Sequence, residues 1–282
     1  MALGRLRVAT AQFPVSADIG RNAGTMREQM REAHDMGAEL VHFSEACLSG
    51  YAGAEFATWE GFDWSELRGE TDAVRDLAEE LQVWLCFGTA HPAGGRGKPY
   101  NSLYLVAPDG RLAKRYDKRF CTAGDLRYYT AGHRFAVESV NGIKVGMLIC
   151  YDFRFPEIYR AYYRRGVRLM LHSFHQVREA PNALMRQVAP AHIMSRAAES
   201  FMYLSANNTS QRYQWFASRI HTPDGGIAAI APRDRRAVIA YTVDLSRGST
   251  FYDPVTANIE RAMDGTLHTG PVRRRAARRA RR

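Results

Sequence analysis

The chain has 282 residues, of which 46% are hydrophobic and 24% are charged, and its formal net charge is +10. This length and composition allow a large buried core, which excludes a disordered protein and suits a single α/β domain. No apolar run approaches the roughly 20 residues that span a bilayer, and no segment near the N-terminus resembles a signal-peptide core. We therefore expect a cytoplasmic protein with no membrane association.

Much of the positive charge lies at the C-terminus, where seven arginines fall within Val272–Arg282. This segment has no apolar face, so we expect a folded domain over residues 1–271 and a disordered Arg-rich tail over residues 272–282. Attachment of the tail to nucleic acid is one interpretation, and a solvated basic tail is the other. No aromatic side chains interleave with the arginines to stack on bases, so any nucleic-acid binding is expected of the tail only.

Apolar runs alternate with helical patterns along the chain. The predicted strands are Leu6–Phe13, Leu40–Ser44, Val83–Ala90, Ser102–Val106, Lys144–Ile149, Arg168–Ser173, Phe201–Ala206, Gly226–Ala231 and Val238–Val243. The predicted helices are Arg21–Met36, Glu70–Leu81, Glu157–Arg164 and Leu184–Glu199, with a loop over Gly50–Trp64. Such alternation indicates sheets that are covered by helices.

Three reactive side chains follow predicted strands: Glu45, Lys118 and Cys150. A carboxylate at the end of a buried strand is costly to ionise unless a partner compensates it. A thiol at a strand-to-helix turn lies near backbone N–H groups, which favour a thiolate and can bind a developing oxyanion. Taken singly, each residue also suits a structural role. Together they provide a nucleophile, a base and an electrostatic stabiliser.

The segments around these residues resemble the Glu–Lys–Cys signatures of the nitrilase superfamily, the carbon–nitrogen hydrolases. The matching segments, in the family's order, are Phe43–Tyr51, Tyr116–Lys118 and Ile149–Glu157. The resemblance implies an α/β fold of the family's type, a single-domain four-layer α-β-β-α sandwich. It also implies a homodimer or higher homo-oligomer.

The resemblance further implies the roles of the catalytic residues. Cys150 attacks an electrophilic carbon while Glu45 takes the thiol proton, and Lys118 and the backbone N–H of Tyr151 stabilise the oxyanion. No metal or organic cofactor is implied, and the four cysteines show neither a CxxC pair nor a zinc-like spacing with histidine.

One position departs from the family pattern. Most members carry a second Glu shortly after the Lys, and the position that corresponds to it here is Asp125, in Gly124–Arg127. Asp125 is either an auxiliary carboxylate that is one methylene shorter or a simple turn residue.

The substrate pocket is less clearly marked. Tyr51 and Phe153, with Trp215, suit pocket walls, although aromatic residues at such positions are also typical of a core. His175 suits either a substrate contact or a hydrogen-bonded loop position. After Cys150, a structural ion network is predicted for Asp152, Arg154 and Glu157, with Arg154 as a carboxylate clamp as the alternative.

The residues after Cys150 bear on the substrate. By resemblance, Tyr151-Asp152 fits the amidase branches better than the nitrile-cleaving ones, and Arg154–Glu157 looks like the branch acting on small carboxylate-bearing amides such as ω-amides. The prediction is a hydrolase of a small-molecule amide that releases ammonia or amine. An N-carbamoyl amine or amino-acid amidohydrolase, a nitrilase and a non-catalytic scaffold are the alternatives, in that order.

Overall fold

The structure is a computed structural model that describes residues 4–95, 97–177, 180–246 and 256–266. Its strands are β1 Arg5–Gln12, β2 Leu40–His42, β3 Trp84–His91, β4 Tyr100–Val106, β5 Leu112–Asp117, β6 Val137–Val140, β7 Ile143–Ile149, β8 Leu169–Phe174, β9 Tyr203–Asn208, β10 Arg219–His221, β11 Ile227–Ile230 and β12 Ala237–Asp244. Its helices are α1 Ile19–Asp35, α2 Trp64–Glu80, α3 Asp125–Tyr128, α4 Pro156–Arg164, α5 Ala183–Ser200 and α6 Thr256–Met263. A 3-10 helix covers Cys150–Arg154.

The strands form two six-stranded sheets. Sheet 1 has the order β12-β1-β2-β3-β4-β5, and sheet 2 has the order β11-β10-β9-β8-β7-β6. Each sheet contains three parallel neighbours, β1-β2-β3 in sheet 1 and β7-β8-β9 in sheet 2, flanked by antiparallel strands. Parallel strands end at the same edge of a sheet, and residues that follow them are the usual source of binding sites in α/β proteins.

The sheets pack face to face, and helices cover their outer faces. Strands β1, β3 and β4 contact β9, β8 and β7 across the interface between the sheets. Helices α1 and α2 pack on the outside of sheet 1, where Met26, Met30 and Leu77 are at most 3% exposed. On sheet 2, α4 and α5 pack together, and α5 contacts β9. The layers therefore run helix, sheet, sheet, helix, as predicted.

The interface between the sheets contains a polar layer around His42. The side chain of His42 accepts or donates hydrogen bonds at both ring nitrogens, Nδ1 to Ser205 Oγ at 2.7 Å and Nε2 to Ser173 Oγ at 2.8 Å. Ser205 Oγ is also 2.7 Å from Thr10 Oγ1, and Ser173 Oγ donates to the carbonyl of Phe43 at 2.9 Å. We call these side chains, Thr10, His42, Ser173 and Ser205, the inter-sheet layer.

The structure contains elements that the sequence did not predict, namely β5, β6, β10, α3 and α6, and helix α2 starts earlier than predicted. Strands β5, β6 and β10 were not predicted. Strands β5 and β6 contain few buried residues, and β10 has only three residues. Helix α2 begins at Trp64 and not at Glu70, since Asp63 caps it by accepting from the backbone N–H of Ser65 and of Glu66.

Helix α6 and the turn that follows it, residues 256–266, belong to a unit separate from the one that ends at Arg247. The predicted Arg-rich tail over residues 272–282 lies outside the described residues, so its disorder stays a prediction.

Candidate active site

Glu45 lies just after β2 and is fully buried. Its Oε1 accepts hydrogen bonds from Lys118 Nζ at 2.9 Å and from Asn101 Nδ2 at 2.7 Å. Its Oε2 is buried and has no hydrogen-bond partner among the described residues. One oxygen is thus held by the protein and the other is left for a proton or a ligand.

The chain turns sharply behind Glu45, and Gly88 on β3 makes room for that turn. Ala46 has a φ of 52°, in the left-handed region that costs a non-glycine residue energy. A Cβ atom on Gly88 would lie 2.3 Å from the backbone nitrogen of Ala46 and 2.5 Å from the carbonyl oxygen of Ser44. Any larger residue at position 88 would push the Glu45 segment away from the sheet.

Lys118 follows β5 and is 1% exposed. Besides the bond to Glu45, its Nζ lies 2.9 Å from Asp125 Oδ2. Burial alone would lower the pKa of Lys118, but the nearby Glu45, Tyr51 and Asp125 groups raise it well above its ordinary value. Lys118 is therefore a permanent cation between two carboxylates.

Asp125 opens the short helix α3 and is 4% exposed. In addition to Lys118, it accepts hydrogen bonds from the Tyr51 hydroxyl and from the backbone N–H of Thr122. Burial favours the neutral acid, yet Lys118 and the hydrogen bonds hold the pKa of Asp125 below its ordinary value. The structure thus brings Asp125 to the Glu45–Lys118 pair as the resemblance implied, although Asp125 also begins a helical turn.

Cys150 starts the 3-10 helix directly after β7, with a φ of 43°. This left-handed conformation sets the thiol at a sharp turn on the cavity wall. Removal of the thiol from bulk water raises the pKa of Cys150, and the Glu45 carboxylate raises it further, although Lys118 lowers it. The expectation that this turn favours a thiolate in the free protein is therefore wrong, because desolvation and a neighbouring anion outweigh the backbone N–H groups.

The turn at Cys150 is fixed by Asp152, which is fully buried. Asp152 accepts hydrogen bonds from the backbone N–H of Ile149 at 2.9 Å, the Tyr116 hydroxyl at 2.7 Å and the backbone N–H of Phe120 at 3.0 Å. Burial raises the pKa of Asp152 to about 6 in spite of these bonds. Asp152 thus ties the Cys150 turn to the segment that carries Lys118, and it does so by hydrogen bonds and not through the predicted ion network.

The remaining predicted site residues line one cavity together with Lys118, Asp125 and Cys150, while Glu45 is buried and not part of its lining. The cavity has a volume of about 500 Å³, and its walls include Lys118, Asp125, Cys150, Tyr151, Tyr51, Phe153, His175 and Trp215. The N–H of Tyr151 belongs to the first turn of the 3-10 helix, where backbone donors have no partner within the helix. Phe153 is both wall and core, since it is 2% exposed and its ring packs on Phe174.

His175, on the cavity wall, forms a second buried ion pair with Glu55. Glu55 was not among the predicted site residues. The His175 Nε2 atom lies 2.8 Å from Glu55 Oε1, and the two side chains are 4% and 7% exposed. Burial would lower the pKa of His175 and raise that of Glu55, but their mutual attraction reverses both shifts. Glu55 also accepts from the backbone N–H of Tyr51 and from Gln211, so the pair joins two loops that line the cavity.

Two further polar residues near the site escaped the sequence analysis, Asn101 and Gln176. Asn101 is a polar residue within the otherwise apolar start of β4, and this was the signal that could have marked it. Gln176 carries no such signal, because it lies in an irregular loop.

His172 on β8 is fully buried and bonds to the Tyr159 hydroxyl. Its Nε2 atom lies 3.3 Å from the carbonyl oxygen of Cys150.

Within the described part of the chain, no group of three or more His, Cys, Asp or Glu side chains is arranged to hold a metal ion. No helix in those same residues has both the length and the apolar character needed to cross a membrane.

The sequence model of the carbon–nitrogen hydrolase family matches residues 7–252. This chain belongs to the carbon–nitrogen hydrolase family. The match spans the three signature segments, and the predicted family and enzyme class are thereby confirmed.

Curated relatives of this hydrolase include two proteins named omega-amidase NIT2. The one from Xenopus tropicalis is 25% identical in an alignment that covers 93% of this chain and 97% of the relative. The one from Homo sapiens is 26% identical in an alignment that covers 86% of this chain and 89% of the relative.

Among solved structures, a mutant amidase from Nesterenkonia superposes on this hydrolase with a TM-score of 0.74 at 19% identity, over 92% of this chain and 97% of that one. That structure shows the acetamide moiety of fluoroacetamide added covalently at the active-site cysteine of the amidase. The superposition confirms the predicted nitrilase-type sandwich.

Proposed function

We propose that this hydrolase cleaves the carboxamide of a small linear amide, with Cys150 as nucleophile, Glu45 as general base and acid, and Lys118 as oxyanion stabiliser. The observation that supports it best is that Lys118, which is ion-paired with the buried Glu45, lines the same cavity as the Cys150 thiol, with Glu45 Oε2 unpartnered among the described residues. A buried charged pair is costly to form, and here it leaves one carboxylate oxygen free for proton transfer.

The first half of the reaction makes a thioester. Glu45 takes the Cys150 proton as Sγ attacks the carbonyl carbon, and the oxyanion is held by Lys118 Nζ and the N–H of Tyr151. Glu45 then returns the proton to the nitrogen, the C–N bond breaks and ammonia leaves. In the second half, Glu45 deprotonates water, which attacks the thioester and releases the acid and the thiol.

The raised pKa of Cys150 supports this order of events. A thiol that stays protonated in the free protein needs a base in contact with it at the moment of attack. Lys118 keeps its proton throughout, since its pKa is far above neutrality, so it stabilises charge without exchanging protons. Asp125 orients Lys118 from the side opposite Glu45.

The substrate class we propose is a small amide that carries a carboxylate at its far end. Arg127 and Arg154 are exposed and line the cavity, where a guanidinium can bind a carboxylate in bidentate fashion. Arg154 is held in place by its position over the Phe153 ring, at 5.1 Å from the centroid. The omega-amidase names of the two relatives agree with such a substrate.

The test is ammonia release from a panel of amides with and without a terminal carboxylate, together with nitriles and N-carbamoyl compounds. We expect kcat/KM to be at least about tenfold higher for the carboxylate-bearing amide than for the neutral amide of equal length. Arg127→Met and Arg154→Met should raise KM for the charged amide and leave the neutral one unchanged. Preference for nitriles or N-carbamoyl compounds would replace the proposed substrate class, and no turnover of any of them would contradict the function.

We also propose that the protein is a homo-oligomer that functions in the cytoplasm. Helix α5 exposes Leu184 and Met194, and β11 exposes Ile227 and Ile230, with exposed fractions between 46% and 67%. Such apolar side chains on one protein favour burial in an interface. All four cysteines are free thiols, which supports a reducing compartment. Light scattering should give at least twice the monomer mass, and Met194→Glu should lower it.

A further inference from the structure

The side chain of Gln176 lies beside the nucleophile and has an unused acceptor. Gln176 is 5% exposed, lines the cavity and places its Nε2 atom 3.8 Å from Cys150 Sγ. Its Oε1 atom is buried and has no hydrogen-bond partner among the described residues. A buried amide carbonyl without a partner costs stability, so it calls for an explanation.

The fold does not explain the side-chain amide, because the backbone of Gln176 makes the structural contacts. Its N–H donates to Asn208 Oδ1 at 2.8 Å, and its carbonyl accepts from Asn208 Nδ2 at 3.1 Å and from the N–H of Trp215 at 3.0 Å. These bonds hold the residue near the start of the loop after β8 whatever its side chain is. The side chain is then fixed against the thiol with its carbonyl unsatisfied.

We infer that Gln176 selects amides over esters by accepting a hydrogen bond from the scissile N–H at Oε1, an inference that rests on the proposed function. The scissile carbon must lie within bonding reach of Cys150 Sγ, so its nitrogen comes within reach of a side chain that already touches the sulfur. Only a nitrogen that bears hydrogen can satisfy Oε1. An ester oxygen or a product carboxylate presents a lone pair to a carbonyl, which is repulsive.

Gln176 exchanges no proton in this scheme. The leaving nitrogen receives its proton from Glu45 and keeps the bond to Oε1 until ammonia departs. The Nε2 group has a separate effect, since its N–H supports the anion that forms on sulfur when Glu45 removes the thiol proton. The two effects can be separated. The sulfur carries the developing anion with every substrate, whereas Oε1 distinguishes amides from esters.

The experiment compares an amide with the ester of the same acyl group in Gln176→Met. Methionine is close to glutamine in size and removes both polar atoms. Loss of Nε2 slows both substrates alike, so the amide-to-ester ratio of kcat/KM isolates Oε1. We expect this ratio to fall by about tenfold or more, the effect of one lost hydrogen bond in a dry site.

The matched control is Gln29→Met in helix α1. Gln29 is also fully buried with Oε1 unpartnered among the described residues, but it does not line the cavity. Its replacement should lower stability and leave the ratio unchanged. An unchanged ratio in Gln176→Met overturns the inference while the proposed function stands.

Should Gln176→Met not fold, Gln176→Asn provides the second variant, because it keeps the amide but withdraws it by one methylene. The ratio should then fall by a smaller factor, and the same ratio as the wild type again overturns the inference. Failure of the proposed function looks different, since the wild-type protein itself would then release no ammonia from any amide.

Discussion

Two buried polar regions of the molecule differ in charge. The proposed catalytic cluster, Glu45, Lys118 and Asp125, holds three charged side chains in two ion pairs, each at most 4% exposed. The inter-sheet layer around His42 is equally buried and uses hydroxyls and a neutral ring. Charge is thus kept at the cavity, where a reaction can use it, and avoided where only the packing of two sheets is at stake.

The hydrogen bonds of the inter-sheet layer run in one direction. Ser173 donates to the Phe43 carbonyl, so it accepts from His42 Nε2–H, and Nδ1 in turn accepts from the Ser205 hydroxyl. Ser205 then accepts from Thr10. This order needs a neutral imidazole, and burial does lower the pKa of His42 to about 3.

The strongest contrast should come from two cysteines, one that lines the cavity and one that lies between the sheets. Cys150→Ala should reduce kcat/KM by roughly 10⁴-fold or more and change the melting temperature little, because the thiol is a nucleophile and not part of the core. Cys86 lies on β3 between the sheets, with its Sγ atom 3.9 Å from Met147 Sδ. Cys86→Ala should do the opposite, costing about 1 kcal/mol of stability with activity retained.

Kinetics and thermal unfolding of the two variants decide the matter. Full activity in Cys150→Ala would remove the thiol from the mechanism. Loss of activity in a folded Cys86→Ala protein would show that the apolar packing between the sheets also serves catalysis.

A second prediction concerns Lys118, which serves both stability and chemistry. Lys118→Met leaves Glu45 and Asp125 buried without their cation, so we expect a loss of roughly 3–5 kcal/mol in the free energy of unfolding. Denaturant titration measures it. Adding Glu45→Gln and Asp125→Asn should restore most of the stability but none of the activity. If the triple variant is no more stable than Lys118→Met, the cost is one of packing and not of charge.

A third prediction tests Asp125 as an auxiliary residue against its role as a turn residue. Asp125→Asn keeps the shape but removes the charge beside Lys118, so kcat/KM should drop by about 10²-fold, the effect of a misplaced catalytic group. Thr122→Ala is the control, because the Thr122 hydroxyl accepts from the Asp125 N–H and caps the same turn without touching Lys118. Equal kinetics in the two variants would leave Asp125 with the turn alone.

The sequence marked the three proposed catalytic residues more clearly than it marked the rest of the pocket. Glu45, Lys118 and Cys150 follow strands, and a motif places them without knowledge of the loops. The partnership of Glu55 with His175 joins two loops far apart in the chain, and no local pattern reports such a contact. The protonated state of Cys150 also escaped prediction, because desolvation depends on how the whole cavity closes around the thiol.

The fold shows the same division. The central parallel strands are buried on both faces and read as apolar runs, so β1, β7 and β8 were predicted within about one residue at each end. The side chains of edge strands β5 and β6 are mostly at least partly exposed to solvent. These strands carry too few apolar residues to be distinguished from loops. In the sequence, His42 looks like one more residue of an apolar strand. Its hydrogen-bond partners, Ser173 and Ser205, lie on the second sheet, so no local pattern indicates them.

The smallest expected effect is a difference between His175 and His42 in how their contributions to stability depend on pH. The folded pKa of His175 is raised above 6.5, so its contribution to stability is present below that value and lost as pH rises through the folded pKa. The folded pKa of Glu55 is lowered below 4.5, so its contribution is present above that value and lost as pH falls through the folded pKa. Between pH 4.5 and 6.5, Glu55→Gln should cost about 2–3 kcal/mol of stability. Above the folded pKa of His175, the cost should shrink toward the roughly 1 kcal/mol of a neutral hydrogen bond.

The control is Ser205→Ala, which removes a partner of His42. It should cost about 1–2 kcal/mol with no such dependence, because a group with a pKa of about 3 stays neutral from pH 4.5 upward. Denaturant titrations of both variants and the wild type over this range measure the difference. A flat profile for Glu55→Gln would mean that His175 and Glu55 are joined by a neutral hydrogen bond and do not form an ion pair.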